Sequence, residues 1–241
     1  MGQFLALLLD ATQRVNLTAI TDPAQAWLRH ALDALSLLPV LASIGEPEPA
    51  QGGGAAPAER ATPRTPRVID VGSGGGVPGI PLAIAMGGVH FSLLEPTGKK
   101  AAFLEHAARA LGLSNVRVLA DRAEKIGHDR DRHREVYDAA VCRAVGPLAV
   151  VAELCAPLVR VGGVVLAVKG ARAEAELAES AHALRTLGLA HETTITTPTG
   201  RLIVLVKARP TPRTYPRADG EPKRSPLGPS PAKGPAGAGE G

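Results

Sequence analysis

The chain has 241 residues, of which 45% are hydrophobic and 2% aromatic, and its formal net charge is +4. This size suffices for one well-packed domain and excludes two large ones. No apolar run approaches the roughly 20 residues of a membrane-spanning helix, and no basic region precedes the opening apolar run, so we expect neither a membrane partner nor a signal peptide. The two cysteines, Cys142 and Cys155, make neither a metal-binding spacing nor a disulfide framework, which predicts a cytoplasmic protein without a metal site.

The N-terminal third contains a helical region and a region of low complexity. Apolar periodicity predicts helices over 3–15 and 23–43, which form a small helical cap at residues 1–44. Residues 45–66 are rich in Pro, Gly and Ala and have no hydrophobic period, so we expect a disordered insertion.

Strands and helices alternate over residues 67–209, the predicted main domain. The predicted strands are 67–72, 90–96, 116–124, 137–144 and 162–170, and an amphipathic helix is predicted over 99–113. Alternation of this kind indicates a parallel sheet with helices on both faces. Residues 192–198 and 201–209 are close enough to form an antiparallel hairpin that completes the sheet.

The charge of the chain is concentrated near its end. From Lys207 onward seven basic residues accompany three acidic ones, so this part carries the whole excess of +4. The Pro- and Gly-rich composition of residues 210–241 predicts a basic, largely disordered tail. Such a tail is typical of polyanion binding and equally of a solvated segment without a partner.

A glycine cluster follows the first predicted strand in "VIDVGSGGGVPGIPLAIA" (68–85). Glycines let the backbone approach a ligand, and free N–H groups at a helix start attract an anionic or carboxylate group. The frame 74–79 fits G-x-G-x-x-G, the fingerprint of an NAD-dependent oxidoreductase, with Glu95 as the ribose ligand. The frame from Asp70 through Gly72 is instead typical of methyltransferases that use S-adenosyl-L-methionine, and Asp70 together with the closing hairpin favours this second interpretation.

Longer motifs give the chain a family resemblance. It closely resembles the bacterial small-subunit ribosomal RNA methyltransferase G family, also called the glucose-inhibited division protein B family, in "VNLTAI" (15–20), "DVGSGGGVPGIPLAI" (70–84), "YDAAVCRA" (137–144), "GGVVLAVKG" (162–170) and "YPRADGEPKRSPL" (215–227). The resemblance implies an α/β, Rossmann-like class I S-adenosylmethionine-dependent fold, with a mostly parallel seven-stranded sheet and an antiparallel last strand. It also implies methyl transfer to N7 of a guanine near nucleotide 527 of 16S rRNA, in the small ribosomal subunit.

The resemblance also implies which residues contact the cofactor. The turn contributes Gly72, Gly74 and Val77, and Glu95 binds the ribose. Three further positions follow later strands: Ala123 and Glu124 meet the adenine region, and Arg143 closes the site. One departure is Ala34, where family members usually have serine, and the N-terminal helical region is short for the family.

Four residues are candidates for the catalytic side of the site. Arg143 and Lys169 follow apolar strands, at the sheet edge where open α/β folds bind ligands, and we interpret Lys169 as a group for RNA phosphate. Each of the two can instead be a surface cation that caps a strand. His30 shares a helix face with Asp33, so it either turns toward the substrate or makes a local structural hydrogen bond. Asn16 either lines the site or caps a turn.

The expected reaction and RNA partner indicate which catalytic groups and binding modules the chain does not need. Guanine N7 has an in-plane lone pair, so its methylation needs no general base, and a site without an obvious nucleophile is expected. Few aromatic residues argue against an autonomous RNA-binding module. We expect a monomer that docks on the small subunit through residues 207–224, so that deletion of 210–241 weakens substrate binding more than cofactor binding. A ribosome-assembly or division-linked factor with a vestigial cofactor site is the non-enzymatic alternative.

Overall fold

The computed structural model describes residues 1–44 and 64–228. The predicted insertion at 45–66 therefore lies outside the described residues except for its last three positions, and so does the end of the predicted tail. Within the described ranges, none of the helices has the length and apolar character needed to cross a membrane.

One seven-stranded sheet organises the described chain, with strand order β3-β2-β1-β4-β5-β7-β6. The first five strands are parallel to one another, and β7 is antiparallel to both β5 and β6. This confirms the predicted fold. The strands are β1 (Arg67–Val71), β2 (His90–Leu94), β3 (Val116–Leu119), β4 (Tyr137–Arg143), β5 (Val159–Lys169), β6 (Leu189–Thr196) and β7 (Arg201–Lys207).

Helices cover both faces of the sheet because its central strands are apolar on both sides. In β1, Val68 packs into one core cluster and Ile69 and Val71 into another. The predicted third strand ends sooner than expected, and Ala123 begins a helix instead. Helices that follow the first strand are α5 (Gly79–Ala85), α6 (Gly98–Ala110), α7 (Ala123–Ile126), α8 (Leu148–Cys155), α9 (Ala173–Glu179), α10 (Ala181–Leu187) and α11 (Glu221–Arg224).

The N-terminal residues form the predicted helical cap. Its elements are α1 (Gly2–Thr12), α2 (Pro23–Ala26), a π-helical turn (Trp27–Leu32), α3 (Asp33–Leu35) and α4 (Leu38–Ala42). The apolar face of α1 is buried in a core cluster with side chains of α5, β2 and α6, which include Ile80, Leu93 and Leu104. The cap is thereby held against the edge of the sheet at which the glycine turn lies.

The C-terminal strap, which we define as residues 210–228, differs from the prediction of a largely disordered tail. Thr211 is buried and donates its hydroxyl to the Leu187 carbonyl at 2.9 Å. The Arg134 guanidinium donates to the carbonyl oxygens of Thr211, Pro212 and Tyr215. Composition did not predict this packing because a few polar anchors and isolated apolar residues, such as Tyr215 and Leu227, hold the strap on the domain without any hydrophobic period.

Candidate functional site

The glycine turn joins β1 to α5 at the carboxyl edge of the sheet. Gly72, Gly74 and Gly76 have φ of +75°, +54° and +86°, a region that residues with a side chain rarely adopt. The N–H groups of Gly72 and Ser73 both donate to the Leu94 carbonyl, at 2.8 and 3.0 Å. The turn is thus fixed to the end of β2, where Glu95 follows.

The carboxylate of Asp70 lies inside the turn and not in the cleft. It is fully buried, and its Oδ2 accepts the Gly79 N–H at 3.0 Å. Its Oδ1 has no hydrogen-bond partner among the described residues. Burial raises the pKa of Asp70 to about 7, although the Gly79 N–H, Ser73 and the charge of Arg143 oppose the shift. Asp70 therefore has a structural role: it stabilises the turn from its buried side.

Glu95 connects the turn to the loop after β2. Its Oε2 accepts the Gly74 N–H and its Oε1 accepts the Thr97 N–H, both at 2.9 Å. The side chain is buried, yet it lines the cleft beside the turn. A carboxylate oxygen can accept two hydrogen bonds, and each oxygen of Glu95 accepts one here, so both retain capacity for a ligand.

A cleft of about 370 Å³ opens above the turn. A second cavity of about 80 Å³ adjoins it and shares Gly72, Pro96, Val145 and Lys223 with its wall. The smaller cavity is lined by Ala123 and by apolar side chains at the ends of β1 and β2. Arg122, Glu124 and Lys223 add charged groups to its wall, and the cleft and this cavity together have the volume of a small-molecule site.

The cap contributes a wall of the cleft through His30, Leu8 and Thr18. His30 Nδ1 lies 3.0 Å from an Arg143 guanidinium nitrogen, and its Nε2 lies 3.0 Å from Thr18 Oγ1. Arginine can only donate, so Nδ1 accepts and the Nε2–H donates to Thr18. Arg143 also donates to the Arg29 carbonyl, which joins the end of β4 to the π-helical turn.

Burial and the neighbouring charge of Arg143 favour the neutral form of His30. Burial, reinforced by the charge of Arg143, lowers the pKa of His30 to about 4. Burial also lowers the pKa of Arg143, while Asp33 and Asp70 act in the opposite direction. Asp33 is itself buried, and its Oδ1 has no hydrogen-bond partner within the described ranges. The two buried carboxyl groups thus favour the charged form of the Arg143 guanidinium.

The structure brings most of the predicted site residues together. The cleft is lined by Gly72, Gly74, Val77, Glu95, His30 and Arg143, and the adjoining cavity by Gly72, Ala123 and Glu124. Two catalytic candidates are placed elsewhere. Asn16 is exposed and is not among the described residues that line the cleft, although its neighbours Leu17 and Thr18 are.

The position of Lys169 also differs from the one expected for a group that binds RNA phosphate. Its ammonium pairs with Glu176 at 2.6 Å and donates to the Gly146 carbonyl at 2.6 Å. Glu176 in turn accepts the Leu148 N–H at 2.9 Å. These contacts hold the loop after β4, whose Ala144 and Val145 line the cleft. Lys169 is engaged within the protein because its acidic partner comes from the helix that follows its own strand.

Two lysines that line the cleft were not predicted, Lys100 in the first turn of α6 and Lys223 in α11. Lys100 follows Glu95 closely in sequence, so the position of Glu95 could have indicated it. Lys223 belongs to the segment 207–224 that was expected to dock on the small subunit, but nothing in the sequence placed it at the cleft. Within the described residues no group of three or more His, Cys, Asp and Glu side chains is arranged to hold a metal ion.

Comparisons with known proteins agree with this geometry. The family described as "rRNA small subunit methyltransferase G" matches residues 55–203. A relative named ribosomal RNA small subunit methyltransferase G from Sorangium cellulosum is 43% identical over 216 residues, which cover 90% of this chain and 82% of the relative. One of the same name from Moorella thermoacetica is 39% identical over 230 residues, covering 93% and 88%.

Solved structures show the same fold at low sequence identity. A variant of the 16S rRNA (adenine(1408)-N(1))-methyltransferase from Catenulisporales acidiphilia superposes with a TM-score of 0.51 at 15% identity, covering 61% of this chain and 87% of that one. A variant of MtNAS, solved with S-adenosylmethionine, gives a TM-score of 0.53 at 14% identity, covering 85% and 73%. Sequence and fold agree, and the chain belongs to the ribosomal RNA small subunit methyltransferase G family of S-adenosylmethionine-dependent methyltransferases.

Proposed function

We propose that this protein transfers a methyl group from S-adenosyl-L-methionine to N7 of a guanine of 16S rRNA in the small ribosomal subunit. The observation that carries the proposal is the pairing of Glu95 with the glycine turn at the mouth of the cleft, in a chain of this family. Family membership also decides between the two glycine frames in favour of the methyltransferase frame.

The residues of the cleft fit this cofactor. Gly72 has a φ of +75°, and a side chain there would place its Cβ 3.0 Å from Val145. Glycine is therefore favoured at this position, which leaves the backbone of the turn accessible from the cleft. Glu95 can accept hydrogen bonds from the two ribose hydroxyls beside the turn. The smaller cavity, between Val71, Leu94 and Leu154, suits the flat faces of adenine. When bound, S-adenosylmethionine supplies an electrophilic methyl group on a sulfonium.

The protein's task in such a reaction is mainly positional. Guanine N7 attacks with its own lone pair, so no side chain has to remove a proton. His30 agrees with this, because both of its ring nitrogens are engaged and it is neutral at pH 7. The cap and Arg143 hold one wall of the cleft in place, which favours in-line approach of N7 to the methyl group and excludes water.

The RNA partner is supported by the charges around the cleft. Lys100 and Lys223 line the cleft itself, Lys99 lies exposed next to Lys100, and Arg122 is exposed at the smaller cavity, where it pairs with Glu124 and Asp219. Lysine and arginine at such a mouth attract the phosphates that flank a target nucleotide. We propose that the RNA backbone crosses this mouth, so that the guanine enters the cleft from the side of the cap.

Two measurements separate this proposal from its alternatives. Isothermal titration with S-adenosylhomocysteine and with NAD should show binding of the first alone, and binding of NAD alone would reverse the cofactor assignment. Radiolabelled methyl transfer to purified small subunits from a strain lacking the gene should label 16S rRNA. Cofactor binding without labelled RNA would instead favour an assembly factor with a vestigial site.

A further inference from the structure

The C-terminal strap runs from the N-terminal end of β4 to the cleft. It leaves the sheet after β7, passes Arg134 and Leu187, and then follows α7, where His128 Nε2 lies 2.8 Å from the Pro216 carbonyl oxygen. A Cβ on Gly127 would lie 2.8 Å from the Pro216 ring, so the two segments are in close contact. Near its end the strap forms α11, whose Lys223 lines the cleft.

An ion pair anchors the strap to the domain at its midpoint. Glu153 on α8 is fully buried and accepts three hydrogen bonds from Arg217, from the backbone N–H at 2.9 Å, from Nε at 2.8 Å and from NH2 at 2.6 Å. The same guanidinium donates to the Ser225 carbonyl at 2.8 Å and reaches Glu221 at 3.4 Å. Arg217 therefore connects the domain to both ends of α11.

The strap also contacts Glu124, which the family resemblance assigned to the cofactor site. The Gly220 N–H donates to Glu124 Oε1 at 2.8 Å, and Glu124 is buried next to the smaller cavity. Lys223, three residues later, lines both the smaller cavity and the main cleft. The wall of the cavity is thus built partly from a segment outside residues 55–203, the range that matches the family.

We propose that the C-terminal strap completes the cofactor site, and that Arg217 is a positioning residue that holds the strap there through Glu153. The inference rests on the proposed function, because it takes S-adenosylmethionine as the ligand of the cleft. Arg217 is not among the described residues that line either cavity, so it acts through Gly220 and Lys223. Deletion of the strap is then expected to weaken cofactor binding as well as RNA binding, which differs from the sequence-based expectation.

The test compares Arg217→Ala and Arg217→Lys with a matched control, Arg160→Ala. Arg160 also pairs with a buried carboxylate, Asp138 at 2.8 Å, but it lies at the opposite edge of the sheet and outside the described lining of both cavities. The dissociation constant for S-adenosylhomocysteine is measured by calorimetry, and the KM for S-adenosylmethionine and kcat by methyl transfer to small subunits. Thermal unfolding of each variant shows how far it is destabilised.

We expect Arg217→Ala to raise the dissociation constant at least tenfold and to raise KM, while kcat at saturating cofactor changes by less than about twofold. Arg217→Lys keeps the charge but loses the planar fork, so its effect should be intermediate. Arg160→Ala should lower thermal stability without changing the dissociation constant. In the native protein, S-adenosylhomocysteine should slow tryptic cleavage after Lys223 and Arg224, which are exposed.

Two results would overturn the inference. One is an unchanged dissociation constant in Arg217→Ala although trypsin cleaves its strap faster than in the native protein. The other is an equal loss of binding in Arg160→Ala, which would assign the effect to general destabilisation. If the native protein does not bind S-adenosylhomocysteine, the proposed function is contradicted. Titration of the native protein therefore distinguishes failure of the proposed function from failure of this inference.

Discussion

Arg143 at the end of β4 donates to the Nδ1 of His30 in the cap at 3.0 Å, and this hydrogen bond joins the two parts of the protein that enclose the cleft. The charges of Asp33 in the cap and Asp70 at the end of β1 act to raise the pKa of the same arginine, while burial lowers it. A single side chain thus links the cap to the sheet.

Arg143→Ala is expected to reduce both stability and activity. The substitution leaves the exposed Arg29 carbonyl and the buried His30 Nδ1 without their donor, and a buried acceptor such as Nδ1 that loses its donor costs about 1–3 kcal/mol. Urea unfolding should therefore show a loss of about 2 kcal/mol, and kcat/KM for methyl transfer should fall at least tenfold. Arg14→Ala is the control, since its pair with Asp10 is exposed and should contribute less than about 1 kcal/mol. Equal effects of the two substitutions would contradict the linking role of Arg143.

The neutral state of His30 predicts a specific dependence of stability on pH. Its pKa is about 4 in the folded protein, below the ordinary value of 6.5, so its contribution is complete above pH 6.5 and is lost as pH falls toward 4. The difference in unfolding free energy between the native protein and His30→Gln should therefore shrink over that range. Asp70 acts with the opposite sign, because its raised pKa lowers stability as pH rises from about 4 to 7, so the difference between variants is the quantity to measure. A constant difference from pH 8 to 4.5 would show that His30 is not held neutral.

Gly79→Ala tests the role of Asp70 inside the turn. The added Cβ would lie 2.6 Å from Asp70 Oδ2 and would also press on Leu93, so the turn or the strand has to move. We expect a loss of about 1–3 kcal/mol in unfolding free energy, together with weaker cofactor binding. Gly87→Ala is the matched control, because nothing lies within 4 Å of the Cβ position there. If Gly79→Ala is as well tolerated as Gly87→Ala, Asp70 does not pack tightly against Gly79 inside the turn.

Glu95→Gln tests the assignment of the ribose ligand. The amide loses the negative charge, and its NH2 group faces the N–H of either Gly74 or Thr97, which are both donors. The dissociation constant for S-adenosylhomocysteine should rise at least tenfold, or about 1.4 kcal/mol. Glu105→Gln, on the exposed face of α6, should leave it unchanged. Unimpaired binding by Glu95→Gln would remove Glu95 from the cofactor site.

The sequence predicted the parts of the site that follow strand ends. The glycine turn and Glu95 come directly after β1 and β2, and parallel neighbours place their carboxyl ends at one edge, so their proximity follows from topology. Lys169 was placed at this edge by the same reasoning, but its pairing with Glu176 depends on how the next helix packs. Topology alone does not determine that packing.

The strap was not predictable in the same way. Arg217 and Glu153 are separated by 64 residues, and Arg217 lies in a stretch whose Pro-rich composition indicates disorder. The strap is held by a few polar contacts and by isolated apolar residues such as Tyr215, which leave no periodic pattern in the sequence. Lys223 reaches the cleft only because those contacts exist.

The central claim is tested most directly by mapping N7-methylguanine in small-subunit rRNA from cells with and without this gene, with complementation by the native protein and by Glu95→Gln. We predict one N7-methylguanine in 16S rRNA that disappears with the gene, returns with the native protein and remains reduced with Glu95→Gln. An unchanged pattern of N7-methylguanine in cells lacking the gene would contradict the proposed function.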